Sequence, residues 1–107
     1  MDRSDAPIGV FDSGLGGLTV ARAIANATGE AAALSRLADI LNAEGKHLEA
    51  RDLILRSKEI FGRLHYKQGV SGKLANLTLT HFFVGDLESV RETMLEGLNV
   101  AIEIGDE

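Results

Sequence analysis

Residues 69–104 have the sequence GVSGKLANLTLTHFFVGDLESVRETMLEGLNVAIEI. Apolar residues recur at helical spacing on both sides of Gly85-Asp86, which predicts one helix from 69 or 71 to 84 and another over 87–104. Gly85 can end the first helix because glycine adopts the left-handed conformation at little cost. Asp86 can cap the second helix. The stretch therefore predicts two antiparallel helices joined by a tight turn.

The residues before this stretch have the same organisation. A helix over 30–44, a turn at Gly45 and a helix over 47–64 precede it. A period of 40, with large residues over large and small over small, is typical of helical solenoids. We therefore predict an all-α fold of two helix-turn-helix repeats, about 30–68 and 69–107. The aligned pairs are Gly45/Gly85, Leu34/Leu74, Leu37/Leu77, Ala38/Thr78, Ala50/Val90, Arg51/Arg91, Ile54/Met94, Leu55/Leu95 and Ser57/Gly97.

These units resemble the tetratricopeptide repeat (TPR) over residues 30–107. The family pattern has two large apolar residues three positions apart and then a small one, as in Leu34, Leu37 and Ala38. Small residues at Ala50 and Ser57 fit its second helix. The proline that usually follows that helix is missing, and the helices are about one turn longer than usual. The resemblance implies a protein-interaction domain.

The TPR resemblance also implies a concave groove lined by the first helix of each repeat. Leu79, Phe82 and Phe83 are the expected hydrophobic anchors, and Asp39 and Asn42 the polar selectors. The three apolar residues share one helical face, so the alternative is that this face packs on a neighbouring helix or under the N-terminal segment. The remaining groove positions are Ala32, Ser35, Ala43, Gly72 and Ala75.

The N-terminal segment, residues 1–29, has a different character. Residues 8–20 are IGVFDSGLGGLTV, which predicts a strand over 8–11, a glycine-rich turn and a helix beginning at Leu18. This motif resembles the N-terminus of glutamate racemase, and the resemblance places Asp12 and Ser13 in an amino-acid pocket. We expect a fusion, natural or engineered, in which Leu18 to about Asn26 forms an extra helix on the first repeat and the preceding stretch is loose or mediates self-association.

Catalysis is not expected. The racemase family uses two cysteines on opposite faces of the substrate carbon, and this chain contains none. The alternative function is a racemase-related fragment that binds glutamate or aspartate weakly without turning it over. No cofactor is expected, because the glycine-rich turn is neither a dinucleotide nor a phosphate-loop motif. No metal is expected either, because His47, His65 and His81 lack ligand spacing, and His81 reads as a hydrogen-bonded core residue.

Charge and hydropathy narrow the class of partner. The formal net charge is −5, with seven acids against one base from Asp86 onward, so no basic face for nucleic acid is visible. No apolar run is long enough to span a membrane, and we expect a cytoplasmic protein. Two repeats are fewer than a stable solenoid usually needs. The expected partners are therefore a protein or peptide and further copies of the chain, which can also be one piece of a longer array.

Overall fold

The computed structural model describes residues 13–106, which form four α-helices and no strand. The helices are α1 (Ser13–Ala43), α2 (His47–Arg63), α3 (Lys67–Val84) and α4 (Leu87–Gly105). The all-α prediction is confirmed for this part of the chain. The layout is compatible with a helical repeat, and the expected bounds of α2, α3 and α4 agree with the structure to within a few residues.

Backbone conformation explains where the helices end. Gly45 and Gly85 have φ values of 82° and 89°, in the left-handed region that favours glycine. The Gly85 amide donates to the carbonyl oxygen of His81 at 3.0 Å, which closes the last turn of α3. Asp86 then caps α4, since its carboxylate accepts from the Ser89 amide at 3.2 Å. Both turn predictions are thereby confirmed.

The core lies where α1, α2 and α3 meet. Each helix packs on the next along the chain: α1 on α2, α2 on α3, and α3 on α4. Leu74 and Leu77 of α3 are buried against Ala38 of α1 and against Ala50 and Ile54 of α2. A second cluster joins Ala31, Ile60 and Phe61 at the other end of α2. The larger cluster therefore fixes how α3 sits on the first helix pair.

The N-terminal part of α1 differs from the prediction. The expected glycine-rich turn is helical from Ser13, and the expected separate helix over 18–26 is part of α1. Side chains 20–26 are exposed, so these residues do not pack on another described helix. It extends roughly 20 Å beyond the end of α2 at 1.5 Å per residue. Because residues 13–106 contain no sheet to pair with, intrahelical hydrogen bonds satisfy this backbone instead, and its alanines favour helix.

The remaining N-terminal expectations concern residues that the structure does not describe. The strand predicted over 8–11 lies outside residues 13–106. The expected boundary between residues 29 and 30 lies within α1, where the helix continues without a break. The origin of the two parts therefore stays a prediction from the sequence.

Two leucines of α3 provide a matched test of the core. Leu77 is 0% exposed and Leu79, two residues later, is 55% exposed. We expect Leu77→Ala to lower the free energy of unfolding by about 2–5 kcal/mol, because it removes buried contacts and leaves a cavity. Leu79→Ala should change it by about 0.5 kcal/mol or less. Urea denaturation measures both, and equal losses would contradict this packing.

Candidate functional site

The first and third helices run parallel and are joined side by side. Asn42 of α1 donates from Nδ2 to the Thr80 hydroxyl of α3 at 3.1 Å. Two turns earlier, Lys73 of α3 donates from Nζ to the Ser35 hydroxyl of α1. Both bonds join residues 38 apart, so the two helices advance in the same direction and in constant register. We call the surface formed by Asp39, Leu79 and Phe83 the α1–α3 face.

A chain of hydrogen bonds supports one side of this face. His47 Nδ1 lies 2.8 Å from Asn42 Oδ1, and the Thr80 hydroxyl donates to the Asn76 carbonyl at 2.8 Å. Because the Asn42 amide donates to Thr80, its oxygen is the acceptor for His47, which fixes the proton on Nδ1. The imidazole stacks on the Phe83 ring with centroids 4.9 Å apart and an angle of 20° between the planes. Phe83 is therefore held from beneath by α1 and α2.

The expected hydrophobic anchors are open to solvent. Leu79, Phe82 and Phe83 are 55%, 60% and 53% exposed. Phe82 and Phe83 also contact each other edge to face, with ring centroids 6.0 Å apart. Among residues 13–106 no helix covers this face, so the alternative that it packs on a neighbouring helix does not hold for the described part of the chain. A cover formed by residues 1–12 lies outside the description.

The expected polar selectors have separate positions. Asp39 is exposed and lies between the two cross-links from α1 to α3. Asn42 uses both ends of its amide inside the fold, on Thr80 and His47. Asn42 therefore positions the His47 ring against Phe83. Of the two expected selectors, only Asp39 is exposed. The sequence offers no local signal for this, because the Asn42–Thr80 bond depends on helix register.

A buried histidine lies behind the site. His81 is buried, as expected, but its Nδ1 has no hydrogen-bond partner, so the expected hydrogen bond is not present at that atom. Burial lowers the pKa of His81, the positive charge of Arg51 lowers it further, and Asp86 and Glu92 oppose them. The Asp86 carboxyl has a lowered pKa because the Ser89 side chain and amide donate to it. His81 is thus kept neutral inside the fold near neutral pH.

The structure also contains an apolar groove between α3 and α4 that the sequence analysis did not identify. Its volume is about 640 Å³, and the Thr78–Thr93 hydrogen bond of 2.8 Å lies at its floor. The signal was present in the helical spacing of Met94, Leu98 and Ile102, all exposed on one side of α4. We call this site the α3–α4 groove; it is lined by Ser71, Leu74, Ala75, Thr78, Thr93, Met94, Leu95, Gly97 and Leu98.

Other kinds of site are limited in the described part of the chain. Residues 13–106 contain no cluster of acidic or histidine side chains able to hold a metal ion. None of the described helices combines the length and hydropathy that a membrane crossing requires. Of the expected amino-acid-binding pair, Asp12 lies outside the described residues and Ser13 is the first residue of α1.

Comparison with known proteins supports a relationship only at the N-terminus. A 21-residue N-terminal segment is 86% identical to glutamate racemase from Beutenbergia cavernae, and the match covers 20% of this chain and 7% of the racemase. No protein-family model matches the chain. No solved structure matches it either. The chain therefore spans less than a tenth of this relative, and the resemblance to TPR repeats rests on the sequence pattern.

The neutral His81 predicts how stability depends on pH. The unfolded histidine binds a proton below about pH 6.5, whereas the folded pKa is lower. The free energy of unfolding should therefore fall as the pH decreases from about 6.5 towards the folded pKa. In the predicted 40-residue alignment, Leu41 stands at the position of His81. The variant His81→Leu should remove this loss of stability.

Denaturant titrations across this pH range measure the effect. His81→Leu should also be at least as stable as the wild type near neutral pH, because a buried unpaired nitrogen costs about 1–3 kcal/mol. The control is His65→Asn, at an exposed histidine with a φ of 56° that asparagine tolerates. An undiminished acid-side loss in His81→Leu would assign the pH dependence to other groups.

Proposed function

We propose that this chain is a protein-interaction module whose α1–α3 face binds an apolar segment of a partner protein. The observation that carries the proposal is the exposure of Leu79 and Phe83 together on a surface that the fold holds in place, with the Phe82 ring against Phe83 at its edge. Clusters of exposed large apolar side chains are uncommon on proteins without partners and mark interaction sites. Aromatic residues are also enriched among those that dominate binding energies.

The support beneath Phe83 favours binding. An aromatic ring that is free to rotate loses conformational entropy when a partner orders it. The His47 stack and the Asn42–Thr80 hydrogen bond already restrict Phe83 before any partner arrives. Less of the interaction energy is then spent on ordering the site.

The charge of the face indicates the chemistry of the partner. Asp39 is exposed on it, and the chain carries a formal net charge of −5. The favoured partner segment has apolar side chains one helical turn apart, as in an amphipathic helix, with a lysine or arginine beside them. Catalysis has no part in this function.

A displayed peptide library, selected against the whole chain, tests the proposal. Peptides recovered this way should bind Phe83→Ala and Leu79→Ala at least about tenfold more weakly than the wild type, because these side chains form the centre of the contact. Both side chains are exposed, so the variants should stay folded by circular dichroism. Isothermal titration calorimetry measures the affinities.

The matched control is Leu48→Ala. Leu48 lies on α2 and is exposed to a similar degree, but it is outside the α1–α3 face. Peptides should bind this variant with unchanged affinity. Selected peptides that bind all three variants equally would place the interaction elsewhere and overturn the proposal.

A second candidate function is weak amino-acid binding by the N-terminal segment, which the 86% match to glutamate racemase favours. Asp12 and Ser13 are the expected ligands. This candidate predicts saturable heat on titration with millimolar glutamate or aspartate, and loss of that heat in Asp12→Asn. A flat titration of the wild-type chain removes it.

A further inference from the structure

One side of α4 has no partner among the described residues. The Thr93 hydroxyl is hydrogen-bonded to Thr78 of α3, while Leu87, Met94 and Leu98 are exposed. The spacing of Met94, Leu98 and Ile102 forms a continuous apolar row along the helix. Met94 and Leu98 of this row line the α3–α4 groove.

A similar groove inside the molecule is filled. Leu74 and Leu77 of α3 are buried in the groove between α1 and α2. We call this contact of α3 with α1 and α2 the internal joint. Its rim is polar, with one hydrogen bond from Asn42 to Thr80 and one from Lys73 to Ser35. The internal joint therefore shows how a groove between two such helices is filled. The groove between α1 and α2 takes up the apolar face of α3, a helix that runs parallel to α1.

The open groove corresponds to the filled one. Thr78 and Met94 stand forty residues after Ala38 and Ile54, which are buried beneath α3. Thr78 and Met94 line the α3–α4 groove, where nothing among residues 13–106 covers them. Ala75 lines it as well, at the position that Ser35 occupies beside α3 in the internal joint. The open groove thus offers another helix the same kind of surface that α1 and α2 offer to α3.

The opposite end of the molecule carries the complementary surface. Leu37 and Ile40 of α1 stand forty residues before Leu77 and Thr80, which are fully buried in the internal joint. Leu37 and Ile40 are themselves exposed. One face of α1 therefore presents apolar side chains at the positions that correspond to those with which α3 contacts α1 and α2.

We infer that the α3–α4 groove binds α1 of a second copy of this chain, so that copies stack head to tail. The inference rests on the helical repeat predicted from the sequence. It explains why equivalent positions differ in polarity. Phe82 stands forty residues after Asn42, and Ile40 stands forty residues before Thr80. The internal polar pair Asn42–Thr80 therefore corresponds to an apolar pair, Phe82 of one copy and Ile40 of the next. The pair Ser35–Lys73 corresponds in the same way to Ala75 and Ala33. Where the internal joint has hydrogen bonds, the ends have apolar partners.

Charge does not hold this joint together. The internal Arg51–Asp86 pair, at 3.9 Å, corresponds to Arg91 and Lys46, which carry the same charge. Added salt should therefore strengthen the association, because it screens repulsion and leaves the apolar contact intact. Because the joint uses two different surfaces, the copies form an open chain or a ring and not a two-fold dimer.

Sedimentation velocity of the whole chain over a range of concentrations is the experiment. The wild type should form species that grow with concentration. Met94→Glu and Ile40→Glu should each weaken this association at least about a hundredfold, because the joint would bury an unpaired carboxylate. Both side chains are exposed, so the variants should keep the helical content of the wild type. The control Leu48→Glu, on α2 outside the joint, should associate normally.

Mixing the two variants separates head-to-tail stacking from other arrangements. Met94→Glu retains an intact α1 surface and Ile40→Glu retains an intact α3–α4 groove, so an equimolar mixture should form a dimer that neither variant forms alone. A wild type that is monomeric at all concentrations would overturn the inference. Continued association of Ile40→Glu would also overturn it and would indicate two-fold pairing through α4.

The result can be separated from that for the proposed function. Met94 is not part of the α1–α3 face, so Met94→Glu should still bind peptides that depend on Phe83. A monomeric wild type that binds such peptides would reject the joint alone. An associating wild type whose peptides ignore Phe83 would reject the peptide site alone.

Discussion

The close approach of α1 and α2 is the constraint on which the rest of the molecule depends. Ala31, Ala50 and Ser57 are fully buried where the two helices cross, and the Ser57 hydroxyl donates to the Ala31 carbonyl at 2.9 Å. Small side chains allow two helix backbones to come near, and the hydroxyl has its partner within the crossing. A larger residue here would separate the helices and widen the groove that holds Leu74 and Leu77. The position of α3, and through it that of Phe83, follows from this crossing.

The sequence predicted what depends on neighbouring residues. Gly45, Gly85 and Asp86 determine their turns through their own backbone and side-chain properties, so three helices were located to within a few residues. The turn and the separate helix predicted after residue 12 were wrong for a related reason. They were predicted from the local pattern, whereas residues 13–106 form no sheet for this stretch to join, and its glycines are helical as part of α1.

The candidate site could be predicted in part. The apolar character of Leu79, Phe82 and Phe83 is visible in the sequence, but their exposure depends on which helices are present to cover them. Asn42 is polar and was therefore expected to select the partner. It holds the site together instead, because its hydrogen-bond partners Thr80 and His47 lie on other helices. Helical spacing states which residues share a face. It does not state what that face contacts, and the α3–α4 groove was missed for that reason.

The contrast between the internal joint and the two end surfaces has a physical basis. Within one chain the helices are already tethered, so the joint mainly needs its register fixed, and directional hydrogen bonds such as Asn42–Thr80 do this at small net gain in energy. Association of separate copies must also offset lost translational and rotational freedom, which costs several kcal/mol. Apolar contact supplies that energy in proportion to the area buried. An apolar Phe82 and Ile40 at the ends, with hydrogen-bonded counterparts inside, is the arrangement that these two requirements favour.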